Sequence, residues 1–228
     1  MRRYPFVPVL LAATAFLAQA ALAQYSTPPA TAAELEQVYS VAIEKRTSNI
    51  LAQLELSDPT RTAKVHDSIM AQYRALRARD QAIDTMLKEL SKDAPGVESN
   101  RAVLIALLSK PLHERFVAKL ATELSPAQVE AVKDQMTYNK VKVTYDAYCA
   151  IIPGLSEDEK ARVLKSLKEA REEAMDGGSA NEKSAIFQKH KDQINAFLTA
   201  GGHDVAKAYE QWEAKEALIK KAADSGMR

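Results

Sequence analysis

From Leu35 to Trp212 the apolar residues recur at spacings of three and four, the period of a helix with one buried face. Leu35, Val38, Tyr39, Ala42, Ile43, Ile50, Leu51 and Leu54 predict a helix from residue 32 that stops before Ser57-Asp58-Pro59. Pro59 suits the first position of a second helix, where its missing N–H has no intrahelical partner to bond. Val65, Ile69, Tyr73, Leu76, Ile83, Leu87 and Leu90 then mark a face of about 30 residues, roughly 45 Å at 1.5 Å per residue. Ala94-Pro95-Gly96 ends it. A third helix is expected over 98–123, with Pro111 kinking or restarting it near Ser109-Lys110. Further helices are expected over 126–138, 144–152, 157–175, 181–199 and 204–223, with Gly177-Gly178 and Gly201-Gly202 as stop signals. Lys142, Val143 and Thr144 would also suit a short extended segment. The expected fold is all-α, a single domain of seven or eight helices over 32–223, with a short tail over 224–228.

Helix starts share a spelling. Leu124-Ser125 precedes Pro126-Ala127-Gln128, and Leu155-Ser156 precedes Glu157-Asp158-Glu159. Each is a capping box, in which the serine side chain bonds the third helical N–H and the Gln or Glu bonds back. Such caps are worth about 1 kcal/mol each and need carry no function. Leu56-Ser57 before Asp58-Pro59 is a looser version.

Composition agrees with this pattern. The 228 residues include only seven glycines and are rich in Ala, Leu, Lys and Glu. With 31 basic and 30 acidic residues, no whole-surface field gathers nucleic acid or anionic lipid, and nucleic acid is not an expected partner. The N-terminus reads as an address. Arg2 and Arg3 precede the short apolar stretch Val7 to Ala18, and Ala21-Leu22-Ala23 is a small-x-small cleavage site. A cleavable signal peptide over 1–23 is expected, then a flexible leader over 24–31 carrying Pro28-Pro29, and a periplasmic or secreted mature protein. The apolar stretch is too short for a comfortable membrane span. Without Arg2 and Arg3 the chain carries 29 basic against 30 acidic residues, a net −1.

Familiar chemistries find little support. His66, His113, His190 and His203 are never three or four residues apart, and no cysteine pair exists, so no metal site of ordinary spacing is expected. No carboxylate loop has calcium spacing. The glycine pairs follow helices and lack a phosphate-binding lysine, and G-x-S-x-G is absent, so no cofactor is expected. Cys149, the single cysteine, lies among Tyr145, Tyr148, Ile151 and Ile152 and reads as a small hydrophobe rather than a reactive thiol.

The stretch from Met136 to Asp176 holds the most suggestive residues. Arg171 follows Leu164 by seven and Leu167 by four, so a charge sits on an apolar stripe. Glu169, Glu172, Glu173 and Asp176 crowd the end of the same helix, where acids oppose its dipole. Arg171, Lys183 across the turn, or a bound cation would compensate. The plainer reading is a solvated charged face with one structural ion pair. The functional reading is a pocket in which Tyr138, Tyr145 and Tyr148 stack, Arg171 clamps a carboxylate and Asp176 orients it or accepts hydroxyls. Core packing is the plainer role for the tyrosines too. Val205, Ala208, Tyr209 and Trp212 form the docking face of the last helix.

These residues also carry a likeness. MTY followed by VTYDAY, then PGLSEDEK, LKEAREEAMDGGS and EKSAIFQKHKDQIN, with Gly202-His203-Asp204 before the last helix, resembles domain-of-unknown-function family 3826. The resemblance covers residues 42–212. It implies secreted, helical bacterial proteins with no established activity, and by association a link to polysaccharide use. The function expected from residues and resemblance together is an accessory module that binds a glycan, an anionic small molecule or an envelope protein. A carbohydrate-active lyase or hydrolase built on the Tyr/Arg/carboxylate cluster is the first alternative. A chaperone-like helical cradle is the second, and it requires a broad exposed apolar or basic concave surface.

Overall fold

The structure is a computed structural model and describes residues 31–89 and 97–226. The expected signal peptide, the leader up to residue 30, Leu90 and Ala94-Pro95-Gly96 lie outside those residues. The described residues form eight helices and no strand: α1 (Ala32–Ala52), α2 (Pro59–Glu89), α3 (Val97–Ala121), α4 (Pro126–Met136), α5 (Lys140–Ile151), α6 (Glu157–Met175), α7 (Ala180–Ala200) and α8 (Val205–Gly226). The all-α class holds. None of these helices is long and apolar enough to cross a membrane.

Two compact units divide between Ala42 and Ile43, within α1. In the first, Thr31 and Glu34 form a reciprocal cap: the Thr31 N–H donates to Glu34 Oε2 at 2.7 Å and the Glu34 N–H to Thr31 Oγ1 at 3.2 Å. The second unit, from Ile43 onward, holds the core. Its α2 buries Val65, Ile69, Tyr73, Leu76, Ile83 and Leu87, the stripe that the spacing marks. A larger cluster joins α5 to α8 around Tyr148, Leu167, Phe187 and Leu198, with Tyr209 and Trp212 of α8 packed against it.

Helix starts follow the written signals. Ser125 and Ser156 form complete capping boxes with Gln128 and Glu159. Ser179 and Glu182 form a third at the start of α7, and the sequence carries the same Ser-x-x-Glu spelling there. Asp58 Oδ1 accepts the Thr60 N–H at 2.8 Å and caps α2.

One expectation fails, and one half of another. Lys142, Val143 and Thr144 lie inside α5 and not in an extended segment. Val141 and Tyr148 are buried at helical spacing, whereas Val143 is 64% exposed, so burial of one helical face overrides the β-branched residues' preference. Pro111 does not restart α3, which runs unbroken from Val97 to Ala121. Near it Ser109 Oγ donates to the Ile105 carbonyl at 2.6 Å. At the other end of the chain, α8 continues three residues past Ala223, to Gly226.

Candidate functional site

The end of α6 is where buried charges converge. Its last carbonyls are orphans of the helix, and acids crowd the same turn. Four cations from four other helices answer them. Lys183 of α7, 4% exposed, donates to the Ala174 carbonyl at 2.8 Å and the Met175 carbonyl at 3.1 Å. Burial pushes its amine down to about 8. Arg79 of α2, 5% exposed, donates to the Asp176 carbonyl at 2.8 Å and to Ser109 Oγ at 2.6 Å, while Asp80 holds its other edge at 2.7 and 3.0 Å. His113 of α3 reaches Asp176 Oδ2 at 3.2 Å and Glu172 Oε2 at 3.5 Å. Hydrogen bonds to Asp176 and then Glu172 raise His113 to about 9 against the effect of burial, so it is a cation at neutral pH. Lys133 of α4 meets Glu172 at 2.9 Å. Burial works to raise the Glu172 carboxyl, but bonds from His113, Lys133 and Arg171 outweigh it and hold it down at about 2.

Between these crosslinks lies a cavity of about 600 Å³, walled by α3 on one side and the α6–α7 pair on the other. Ala102, Ile105 and Ala106 of α3 and Ala185 and Ile186 of α7 form its apolar walls, with Arg79, Ser109, His113, Glu172 and Asp176 at the polar end. Among the described residues, its lining contains no Tyr, Trp or Phe.

The residues singled out from sequence are divided by the fold. Asp176 lines the cavity. Arg171 is 3% exposed and already engaged: Nη1 donates to Asp134 at 2.8 Å, and Nη2 to Glu172 at 2.9 Å and to Glu130. It therefore acts on the cavity through Glu172, as an orienting residue. Tyr148 is 1% exposed and packs in the α5–α8 core, donating to Asn195 Oδ1 at 2.6 Å. Burial first, then Tyr209, raises its hydroxyl pKa. Tyr145 packs half-buried against the same core, and Cys149 beside it is half-buried as well. Tyr138, 44% exposed, sits with Asn139 in the left-handed turn between α4 and α5, at φ 60° and 53°. The tyrosines are thus turn and core residues of α5, while Arg171 and Asp176 belong to the charged end of α6.

Arg79, Ser109 and His113 were not legible as site residues. Yet Arg79 stands three after Leu76 and four before Ile83, the same register that exposes Arg171 as a charge on an apolar stripe. Lys183, four before Phe187, obeys it too. The chemistry open to the cavity is binding and proton exchange. Ser109 gives its one proton to the Ile105 carbonyl and accepts from Arg79, so its hydroxyl is committed. Among the described residues no group of three His, Cys, Asp or Glu could hold a metal ion.

A family model described as "Protein of unknown function (DUF3826)" matches residues 40–217. No curated protein matches the chain.

Proposed function

Since the chain belongs to domain-of-unknown-function family 3826, whose activity is not established, we propose its function from the cavity itself: this is a binding module that receives an apolar group between α3 and α7. The observation that carries the reading is an open cavity with aliphatic walls whose polar end is already braced by Arg79, His113 and Asp176. A site framed by satisfied hydrogen bonds costs little rearrangement on binding. Its volume falls in the range typical of small-ligand pockets, about 300–1,000 Å³. Turnover is the weaker reading. His113 enters already protonated between two carboxylates, and the one hydroxyl beside it is committed elsewhere. The glycan link draws on the resemblance alone, because the lining offers no aromatic platform for a sugar face. The N-terminal pattern of Arg2-Arg3, the apolar stretch and Ala21-Leu22-Ala23 supports placing this module in the periplasm or outside the cell.

The test uses the chain from Gln24 onward and the neutral apolar fluorophore N-phenyl-1-naphthylamine. Saturable binding is expected, with a rise in melting temperature, since a ligand held only by the folded state stabilises it by about 2.7 kcal/mol at 100 times its Kd. Ala106→Trp and Ala185→Trp fill the cavity from opposite walls and are expected to abolish binding while leaving the helical circular dichroism intact. Undiminished binding in both variants would refute the cavity reading.

A further inference from the structure

One serine of α6 is bonded unlike its counterparts in other helices. Ser68, Ser109 and Ser184 each donate to the carbonyl four residues back, at 2.7, 2.6 and 2.8 Å, which commits the hydroxyl to the helix. Ser166, half-buried in the middle of α6, turns its Oγ across to His190 of α7 instead, 3.4 Å from Nδ1. The other ring nitrogen, Nε2, lies 3.1 Å from Glu173 Oε2. Burial works to raise the Glu173 carboxyl, but His190 and Lys189 outweigh it and lower it, so Glu173 is ionised at neutral pH. A carboxylate only accepts, so Nε2 carries the hydrogen of the neutral ring and Nδ1 offers its lone pair to the Ser166 hydroxyl. Ser166 and Glu173 stand two turns apart on one side of α6, and His190, 9% exposed, reaches both. Hydroxyl, imidazole and carboxylate in that order make a weak nucleophile a strong one.

The hydroxyl also has space beside it. A groove of about 550 Å³ between α6 and α7 is lined by Ser166 with Arg162, Lys165, Gln193 and Phe197, and it shares no lining residue with the cavity between α3 and α7. Arg162, one turn before Ser166, stacks its guanidinium 4.3 Å from the centre of the Phe197 ring, and no carboxylate among the described residues pairs with it. A cation left without a counter-charge beside a nucleophile is placed to stabilise the negative oxygen of a tetrahedral intermediate.

The geometry points to a serine acyl-transfer site that takes small carboxylic esters, with Ser166 as nucleophile, His190 as general base and Glu173 positioning the imidazole. Ser166 Oγ bonds to the ester carbonyl carbon as its proton passes to His190 Nδ1. The bond from that carbon to the leaving alcohol breaks, and the alcohol takes the proton from Nδ1. Water then gives a proton to Nδ1 and its oxygen to the acyl carbon. The acid leaves, and Ser166 Oγ recovers the proton, so ester and water have become acid and alcohol. The absence of a G-x-S-x-G turn is no obstacle, since such a relay is set by geometry and not by sequence position.

The test treats the chain from Gln24 onward with a fluorophosphonate probe, read by peptide mass, and with 4-nitrophenyl acetate. A single adduct on Ser166 and a burst of about one equivalent of 4-nitrophenolate are expected. Ser166→Ala is expected to lose both, with its helical circular dichroism and its naphthylamine titration unchanged. His190→Gln is expected to slow acylation at least about tenfold. Glu173→Gln is expected to slow it at least about tenfold while the half-saturating ester concentration stays within about twofold, a split that loosened packing alone does not produce. The proposal is overturned by a parent chain without an adduct, by an adduct or burst that persists in Ser166→Ala, or by acylation within about twofold of the parent in either His190→Gln or Glu173→Gln.

Discussion

Arg171 carries its charge to a place where 3% of its side chain meets water, and Glu130, Asp134 and Glu172 answer it there. Removing it takes a partner from three carboxylates, of which Glu130 and Glu172 keep Lys133 at 3.2 and 2.9 Å, and all three, 45%, 35% and 37% exposed, recover part of their hydration. The cost is then below that of breaking a fully buried pair. Arg171→Ala is expected to lose about 2–3 kcal/mol in urea unfolding, seen as a lower midpoint at unchanged slope. Arg171→Lys recovers only part, because an ammonium cannot span Asp134 and Glu172 as a guanidinium fork does. A loss below about 0.5 kcal/mol would mean that the cluster is a screened surface network. Arg171 was legible in the sequence because a charge in an apolar register is conspicuous. Its partners on α4 were not, since Glu130 and Asp134 look like ordinary solvated residues until the fold brings them across. The tyrosines mislead for the complementary reason. Spacing tells that Tyr145 and Tyr148 share one side of α5, but not that this side faces α7 and α8 instead of the charged end of α6.

At the level of elements, the turn after α6 decides how closely α2 approaches it. A Cβ added to Gly178 falls 1.9 Å from Asp80 Oδ2, a carboxylate whose other oxygen is bound to Arg79. At Gly177 the added carbon would lie 3.1 Å from Lys183 Cγ, against the side chain that caps α6. The glycine pair is thus a stop signal, as read, and also a gap through which Asp80 and Lys183 reach the helix end. Gly178→Ala is expected to push Asp80 off Arg79 and cost about 1–3 kcal/mol, as overpacking does. The companion Gly178→Ala/Asp80→Ala removes the clash, so its stability is expected to exceed the sum of the two single effects in a double-mutant cycle. Additive effects would show that the turn simply shifts aside. Helix limits and caps were readable because they depend on neighbours within four residues, as at Ser125, Ser156 and Asp58. The cavity was not, because its walls come from α3 and α7, some 80 residues apart, and from the side chains held between them.

Within the second unit, His113 is a link whose strength depends on pH, since it ties α3 to Asp176 and Glu172 of α6. Its folded pKa is raised from 6.5 to about 9, so between those values the folded chain binds the proton that the unfolded chain has released. Its contribution is complete below pH 6.5 and is lost as pH rises through 9. Glu172 behaves oppositely. Its folded pKa is lowered from 4.5 to about 2, so its contribution is complete above pH 4.5 and is lost as pH falls through 2. The two together place the greatest stability of this link between pH 4.5 and 6.5. Lys183 faces the same helix end with a folded pKa lowered from 10.5 to about 8, and it adds stability as pH climbs through that interval. The clean measurement is therefore a difference. In urea unfolding from pH 6 to 9, the parent chain is expected to lose on the order of 1–2 kcal/mol relative to His113→Gln, after allowance for solvent screening. The Lys183 contribution is present in both proteins and cancels. A parallel pair of stability curves would show that the imidazole gains nothing from its two carboxylates on folding. The bonds of Arg79 to Ser109 of α3 and to the Asp176 carbonyl of α6 would then carry the link, and the polar end of the cavity would keep its shape at any pH in that range.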